Sequence, residues 1–366
     1  SFALCIIFKE YPERIYALRK ESPLLIVPSD GFTVICSDLT VPDFDFDSYY
    51  IPESGEIAVL DNGKTEFYDF SGKNIEKMAV SGSFRGDVHV SAGYGSYMEK
   101  EIYQQPQVLY KLFSESEEKY EKIKKLFYNV NAVHMIACGT AYHAALTASG
   151  FFERVSGIPA YCHLASEFRY GEFIPDDNGM NIVISQSGET ADTIAAMRYL
   201  QKNGRKVIGV VNVPSSTVDR EADLTLLTEA GPEFAVASTK AFTAQVALLM
   251  RVAFFISRDS KKPGQYLSTL VKTVKDAVFN ALENSEYIYN VASVMSRNSD
   301  SFYIGRRTDY ALACEGSLKL KEITYIHSEA LAAGELKHGT ISLITDGVPV
   351  IALATQKQVY EKTISN

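Results

Sequence analysis

Several features that mark common protein classes are missing from this sequence. No basic segment is followed by an apolar run near its start, and no apolar stretch reaches the ~20 residues that a membrane-spanning helix needs. Neither secretion nor membrane insertion is therefore supported. No low-complexity tract interrupts the chain, and 366 residues with 46% hydrophobic and 22% charged content are typical of a globular protein of two or three domains.

Positive charge and paired cysteines are scarce as well. The formal net charge of −9 argues against a nucleic-acid-binding surface, so any phosphate would have to be bound by local geometry. The cysteines are odd in number and form no C-x-x-C pair, which predicts reduced thiols in the cytoplasm and no metal site. We expect no cofactor. The scattered cysteines are Cys5, Cys36, Cys138, Cys162 and Cys314.

The first 75 residues show short β-like runs separated by turn signals. The runs cover residues 3–8, 24–27, 32–36, 56–60 and 65–68, with turns such as P-S-D-G at 28–31 and D-N-G at 61–63 between them. This pattern predicts an antiparallel β region over residues 1–75. Residues 76–97 are polar and contain glycine, so we interpret them as a linker.

From residue 98 onward, predicted strands alternate with helices. A helix interrupted near Pro106 comes first, and apolar runs at 132–137, 181–184, 206–211 and 223–227 then alternate with helical patterns at 141–155, 191–202 and 239–256. A helical connection at 265–295 leads to a strand at 301–305, a helix at 309–323 and a strand at 348–354. The predicted fold class is therefore α/β, with tandem doubly wound parallel sheets at 98–275 and, truncated, at 276–366.

The run S-Q-S-G-E-T-A-D-T at 185–193 follows a predicted buried strand and opens a predicted helix. Free backbone N–H groups and the positive end of the helix dipole face such a turn, where an anion is favoured. Ser185, Ser187 and Thr190 add hydroxyl groups, and Gly188 lets the backbone come close. The run predicts a phosphate site, and the alternative is an ordinary capped helix.

Two other loops that follow predicted strands carry small polar residues. Gly139 and Thr140 come directly after the first strand of the α/β region, and Ser238 precedes a long apolar helix. Ligands of open α/β sheets bind beyond the carboxyl ends of the strands, so converging loops of this kind suit a polyhydroxylated phosphate. Taken singly, each loop is explained equally well as a tight turn or a helix cap.

Acid–base groups lie in the second α/β region. Glu315, Lys319 and Glu322 are spaced i, i+4 and i+7, which places all three on one face of a helix. A solvated ion-pair ladder is the alternative, but the many apolar neighbours indicate that some of these charges are partly buried, as in a proton-transfer site. His338 lies in the polar stretch G-E-L-K-H-G and is a further candidate; a structural histidine is the alternative there.

These motifs together resemble one enzyme family. C-G-T-A at 138–141, S-Q-S-G-E-T-A-D-T at 185–193, V-A-S-T-K-A-F-T at 236–243, E-G-S-L-K-L-K-E at 315–322 and G-E-L-K-H-G at 334–339 are similar to the glutamine:fructose-6-phosphate aminotransferase family. The resemblance extends from about residue 97 to the C-terminus. More loosely, residues 1–75 resemble the closing part of that family's N-terminal glutaminase domain.

The resemblance implies two sugar isomerase (SIS) domains that convert fructose-6-phosphate, with ammonia made from glutamine, to glucosamine-6-phosphate. Glu322 would move the proton between C1 and C2, assisted by Lys319 and Glu315. His338 would open the sugar ring from the neighbouring subunit, which implies a homodimer. The implied substrate-binding residues are Cys138, Gly139, Thr140, Ser185, Gln186, Ser187, Thr190, Val236, Ala237 and Ser238.

The sequence also departs from the family pattern. The family's cysteine nucleophile stands at the N-terminus and a lysine lies near its C-terminus, whereas this sequence starts at Ser1 and ends at Asn366. We therefore expect a fragment that does not hydrolyse glutamine. Ala141 stands where some members have serine. Two rivals remain: an SIS sugar-phosphate isomerase or deglycase that works without a glutaminase domain, and a non-catalytic SIS module that senses a sugar phosphate.

Overall fold

A computed structural model describes residues 2–20, 22–37, 42, 44–84, 93–171, 178–257 and 262–366. The chain forms two compact units, one of residues 1–91 with 215–217 and one of residues 92–214 with 218–366. Part of the predicted linker, residues 85–92, lies outside the described residues. No helix within the described ranges is long and apolar enough to cross a membrane.

The first unit consists of antiparallel β-structure, as predicted. A five-stranded sheet has the order β1-β2-β6-β7-β8, and β3-β4 and β5-β9 form two further pairs. Side chains such as Ile26 and Phe67 fill a small core. The strands are β1 (Phe2–Phe8), β2 (Tyr11–Lys20), β3 (Leu25–Ser29), β4 (Phe32–Cys36), β5 (Phe46–Tyr49), β6 (Glu56–Asp61), β7 (Lys64–Asp69), β8 (Asn74–Ile75) and β9 (Val80–Phe84).

The second unit alternates strands and helices. Its strands are β10 (Ala132–Ala137), β11 (Ala160–Leu164), β12 (Gly179–Ser185), β13 (Val207–Val211), β14 (Leu224–Leu227), β15 (Asp300–Gly305), β16 (His327–Ala332) and β17 (Val350–Ala352). Its helices are α1 (Tyr97–Ser114), α2 (Glu121–Leu126), α3 (Gly139–Ser156), α4 (Ala165–Phe168), α5 (Ala191–Lys202), α6 (Thr217–Glu221), α7 (Lys240–Phe255), α8 (Lys262–Leu282), α9 (Ser285–Met295), α10 (Thr308–Thr324) and α11 (Tyr360–Ile364).

The larger sheet of this unit has the order β11-β10-β12-β13-β14, and all its strands are parallel. One face of the sheet is covered by α3, α7 and buried residues of α1 and α2, and the other face by α4, α5 and Val218 of α6. The α/β prediction is therefore confirmed. The strand order reverses between β10 and β12, which is the point where open α/β sheets form their ligand crevice.

The smaller sheet, β16-β15-β17, is also parallel and starts the same order again. Helix α10 packs on β15 and β16, and it also packs on α3 of the larger sheet. The catalytic candidates on α10 are thus held against the first sheet's layer. Helix α8 packs on α1, whereas no residue of α9 is buried.

The predicted interruption at Pro106 was wrong. Helix α1 continues through Pro106 to Ser114, and a short 3₁₀ segment, Glu117–Tyr120, then separates it from α2. Proline has no N–H for the carbonyl of Ile102, four residues earlier. The Gln105 side-chain amide donates to that carbonyl at 3.0 Å instead, so the helix continues without leaving the acceptor unpaired.

Candidate active site at the junction of the two sheets

The loop after β12 is built around two hydroxyl groups. The hydroxyl of Ser185, the buried last residue of the strand, lies 2.9 Å from the hydroxyl of Thr190 and accepts the N–H of Gly188 at 3.0 Å. Gly188 has φ of +68°, a conformation that favours glycine, and the Ser187 hydroxyl accepts the N–H of Glu189. The loop therefore turns its hydroxyl and N–H groups towards one another ahead of helix α5.

Thr190 precedes the first residue of α5, but its side chain makes no capping bond to that helix in the described structure. Its hydroxyl contacts Ser185 instead. The backbone carbonyl of Gln186 accepts the N–H of Asn212 at 2.9 Å, which ties this loop to the one after β13. The simple capped-helix interpretation thus does not describe the position of the Thr190 hydroxyl.

The loop after β10 lies next to this one, because Ala137 at the end of β10 pairs with Ile184 of β12. Cys138 precedes α3, and burial raises the pKa of its thiol above the ordinary value. Gly139 has φ of +53°. Residues of the two predicted binding loops are therefore neighbours at the point where the strand order reverses.

Thr140 joins this loop to helix α10. Its hydroxyl donates to Oε1 of Glu315 at 3.0 Å and accepts from Nζ of Lys319 at 3.0 Å. Glu315 also receives Nδ1 of His143 at 2.8 Å, and Nζ of Lys319 lies 3.4 Å from its Oε1. Only 7% of the Glu315 side chain is exposed, so this carboxylate is a buried anion surrounded by donors.

Glu322 lies at the outer end of the same helix face. Its Oε2 is 2.5 Å from Nζ of Lys319, and its side chain is 34% exposed, compared with 16% for Lys319. The expectation that these charges are partly buried is confirmed for Glu315 and Lys319. An accessible carboxylate beside a shielded ammonium group is an arrangement that can exchange a proton with a bound molecule.

The loop before α7 is organised by a carboxylate that the sequence did not single out. The Glu233 carboxylate accepts the Ser238 hydroxyl at 2.7 Å and the backbone N–H groups of Thr239 and Ala241. Ser238 therefore does not cap α7, and Glu233 takes that role. Val236 is fully exposed, whereas Ala237 is buried.

Two side chains of helix α1 accept hydrogen bonds from this loop and from the first residue of α7. Oε1 of Glu101 accepts the N–H groups of Phe234 and Ala235 at 2.5 and 3.3 Å, and Lys240 donates to the side chain of Gln104 at 2.7 Å. Glu101 and Lys240 are each 2% exposed. Burial raises the pKa of Glu101 and lowers that of Lys240, since a dry environment disfavours both charged forms.

His338 is not brought to the other candidates. It is exposed at the end of the one-turn 3₁₀ segment Leu336–His338, where its backbone N–H donates to the carbonyl of Glu335. The contacts of the described residues include none between its ring and Glu322 or Lys319. Within one chain, the acid–base face of α10 and His338 are therefore separate features.

His143 is the residue of this cluster that sequence reasoning passed over. It follows Thr140 by three positions, so both side chains lie on the face of α3 that meets α10. The three-residue spacing from Thr140 could have identified His143 as a neighbour of this site from the sequence. Among the described residues, no group of three or more His, Cys, Asp or Glu side chains is arranged to hold a metal ion.

The sequence profile of the SIS domain family matches residues 126–257 and 295–364. Two curated relatives named glutamine–fructose-6-phosphate aminotransferase (isomerizing), from Caldanaerobacter subterraneus and Clostridium tetani, are 42% and 39% identical over the whole chain. The chain spans 62% of the length of each. The solved C-terminal domain of glucosamine-fructose-6-phosphate aminotransferase from Francisella tularensis is 35% identical, with a TM-score of 0.72 over 76% of this chain and 81% of that one.

Proposed function

The chain belongs to the SIS domain family and, within it, to the glutamine–fructose-6-phosphate aminotransferases, and we propose that it carries the part that turns fructose-6-phosphate and ammonia into glucosamine-6-phosphate. The observation that carries this proposal is the contact of Thr140 with both Glu315 and Lys319. That contact joins the acid–base face of α10 to the crevice where the strand order of the larger sheet reverses.

The proposed phosphate-binding residues lie in the loop after β12. Ser185, Gln186, Ser187 and Thr190 would hold the phosphate, whose oxygens would replace the internal hydroxyl contact between Ser185 and Thr190. Cys138, Gly139 and Thr140 would line the sugar from the neighbouring loop. Val236, Ala237 and Ser238 would close the other side. The phosphate is remote from the reacting carbons, so its binding energy serves to orient them.

The chemistry is a proton transfer between adjacent carbons. Ammonia adds to the C2 carbonyl of the open sugar and water leaves, giving a C2 imine that takes up a proton on nitrogen. Glu322 then takes the proton from C1, the C1–H electron pair forms a C1–C2 double bond, and the electron pair of the C2–N double bond moves to nitrogen, which becomes an amine. Return of a proton to C2 and loss of the O1 proton give the C1 aldehyde of the amino sugar.

The neighbouring charges would support that step. The Nζ of Lys319, 2.5 Å from Oε2 of Glu322, would hold this carboxylate in a fixed position beside the substrate. Glu315, held by Thr140 and His143, would in turn keep Lys319 in place. Both would act through Glu322 and would not touch the reacting carbons themselves.

Several further assignments belong to the same proposal. His338 would open the sugar ring in the site of the neighbouring subunit of a homodimer, which accords with its exposure and with the lack of a contact between its ring and Glu322 among the described residues. Ammonia would come from glutamine in the complete enzyme, in the cytoplasm. Residues 1–75 would be the end of the glutaminase domain, 76–97 a linker, 98–275 the first SIS domain and 276–366 part of the second.

Product analysis tests the proposal. The full-length protein is incubated with fructose-6-phosphate and either glutamine or ammonia, and we expect glucosamine-6-phosphate with both donors. Its absence with both refutes the proposal, and isomerisation without amine incorporation would favour the rival isomerase. Glu322→Gln separates the enzyme from a sensing module: we expect turnover to fall by ~10²–10⁴-fold while the substrate still binds, whereas a sensor would be unaffected.

A further inference from the structure

The two parallel sheets of the second unit repeat one another around their first strand and helix. Both begin with the order second-first-third, as β11-β10-β12 and as β16-β15-β17. The first turn of the helix that follows the first strand contains T-x-Y in each case, at 140–142 in α3 and at 308–310 in α10. The residue before this triplet has positive φ in both, +53° at Gly139 and +55° at Arg307. Asp309 therefore occupies the position that Ala141 has in the first sheet.

Asp309 is a completely buried anion. Its exposed fraction is 0%, and its carboxylate accepts the N–H of Thr355 at 2.8 Å, the hydroxyl of Thr355 at 2.5 Å and the N–H of Gln356 at 3.3 Å. Hydroxyl and backbone N–H donors near a helix N-terminus are the groups that bind phosphate in other α/β proteins. Here they bind a side chain of the same chain.

These donors come from a particular loop. Thr355 and Gln356 lie in the loop after β17, the third strand of the smaller sheet, which corresponds to the loop after β12 in the larger sheet. Ile136 pairs with Val183 and Ile304 pairs with Ala352, so Thr355 and Gln356 take the places of Gln186 and Ser187. The carboxylate of Asp309 thus lies where the internal repeat places the anion of the first sheet.

We propose that Asp309 permanently occupies the anion position of the smaller sheet, so that this sheet takes no phosphate and the loop Ser185–Thr190 is the single phosphate-binding loop within the described ranges. The second half of this statement rests on the function proposed above for Ser185–Thr190. A phosphate could not join the carboxylate, because two anions would then share one dry site. The same bonds fix the first turn of α10, whose later turns carry Glu315, Lys319 and Glu322.

Chemical rescue of Asp309→Ala in the full chain tests the first half. The substitution leaves a space the size of a carboxylate, lined by the Thr355 and Gln356 donors. We expect a lowered melting temperature that formate restores in a saturable way, by ~2 °C at about tenfold above its dissociation constant. Wild type and Asp309→Asn should not respond to formate beyond a matched chloride control, and Asp309→Ala with Thr355→Val should lose most of the rescue.

Equal formate effects on wild type and Asp309→Ala, or no effect on either, would overturn the proposal. If Asp309→Ala does not fold on expression, refolding yields with and without formate provide the same comparison, and an unchanged yield counts against it.

Titration with inorganic phosphate tests the second half. We expect one equivalent bound per wild-type chain and none for the double variant Ser185→Ala, Thr190→Val. One equivalent remaining in that double variant means that the smaller sheet is open to phosphate, and the inference is then wrong. If wild type itself binds no phosphate, the assignment of the Ser185–Thr190 loop fails, while the formate experiment still decides the role of Asp309.

Discussion

The same substitution, carboxylate to amide, should affect different properties of the protein at Glu315 and at Glu322. Glu315 is buried and held by Thr140, His143 and Lys319, whereas Glu322 is one-third exposed and, among the described residues, is paired with Lys319. We predict that Glu315→Gln mainly lowers stability and that Glu322→Gln mainly lowers turnover. The two variants are matched controls for each other, since both replace a carboxylate by an amide on one face of one helix.

The size of each effect follows from the contacts. A glutamine at position 315 keeps one acceptor oxygen and turns an N–H₂ group towards groups that also donate, so a hydrogen bond to a charged group is lost and a donor is left facing a donor. We expect about 3 kcal/mol of lost unfolding free energy. At Glu322 a partly exposed ion pair is worth about 0.5 kcal/mol, but loss of the base should reduce kcat by ~10²–10⁴-fold.

Urea unfolding gives the free energies, and formation of glucosamine-6-phosphate from fructose-6-phosphate and ammonia gives the rates, measured well below each unfolding midpoint in the full-length protein. For Glu315→Gln we expect about a tenfold loss of kcat, because Lys319 loses one of its fixed neighbours. Equal losses of stability in the two variants, or normal turnover in Glu322→Gln, would refute the division of roles described here.

Three further predictions concern other parts of the second unit. Burial, and to a lesser extent the neighbouring His134, lowers the pKa of His163 from 6.5 to about 4, so on acidification the unfolded chain binds a proton at this residue before the folded chain does. The free energy of unfolding should therefore fall by about 1–2 kcal/mol between pH 6.5 and pH 4, a value reduced because the ring is only half-buried. The variant His163→Gln should not show this loss. A Cβ at Gly305 would lie 2.4 Å from the backbone C and O of Asp309, so Gly305→Ala should cost about 3 kcal/mol or more by urea unfolding, whereas Gly316→Ala, which meets only a side chain at 3.0 Å, should cost less than about 1 kcal/mol. Glu101→Ala should raise the KM for fructose-6-phosphate more than it lowers kcat, because the loop before α7 loses the oxygen that accepts the N–H groups of Phe234 and Ala235; an unchanged KM would contradict that.

The larger sheet could be predicted almost completely from the sequence. Its central strands are fully buried, so β10, β12 and β13 appear as continuous apolar runs between polar turns. The edge strands β11 and β16 were not predicted, because their partly exposed positions admit polar residues and leave no clear pattern. The same holds for β2, whose buried positions Ala17 and Arg19 are only two of ten.

The acid–base face of α10 could be predicted only in part. Helical spacing placed Glu315, Lys319 and Glu322 together, and the structure has them in contact through Lys319. Their partners on α3 could not be derived, since no sequence pattern states which helices of two sheets pack together. Pro106 shows the reverse case: proline signals a helix break, but α1 continues through it, and the Gln105 side chain donates to the carbonyl that Pro106 leaves without an N–H.

The packing of α10 on α3 also restricts which sequence changes the protein can accept during evolution. Glu315 is supplied by the smaller sheet's helix, and Thr140 and His143 by the larger sheet's helix. A recombination event that exchanged one half for that of a distant homologue would leave a buried polar group without its partner unless the incoming half carried the matching side chain, Glu315 on α10 or Thr140 and His143 on α3. Substitutions at these three positions are therefore expected to depend on one another, although the residues lie on helices that follow different sheets.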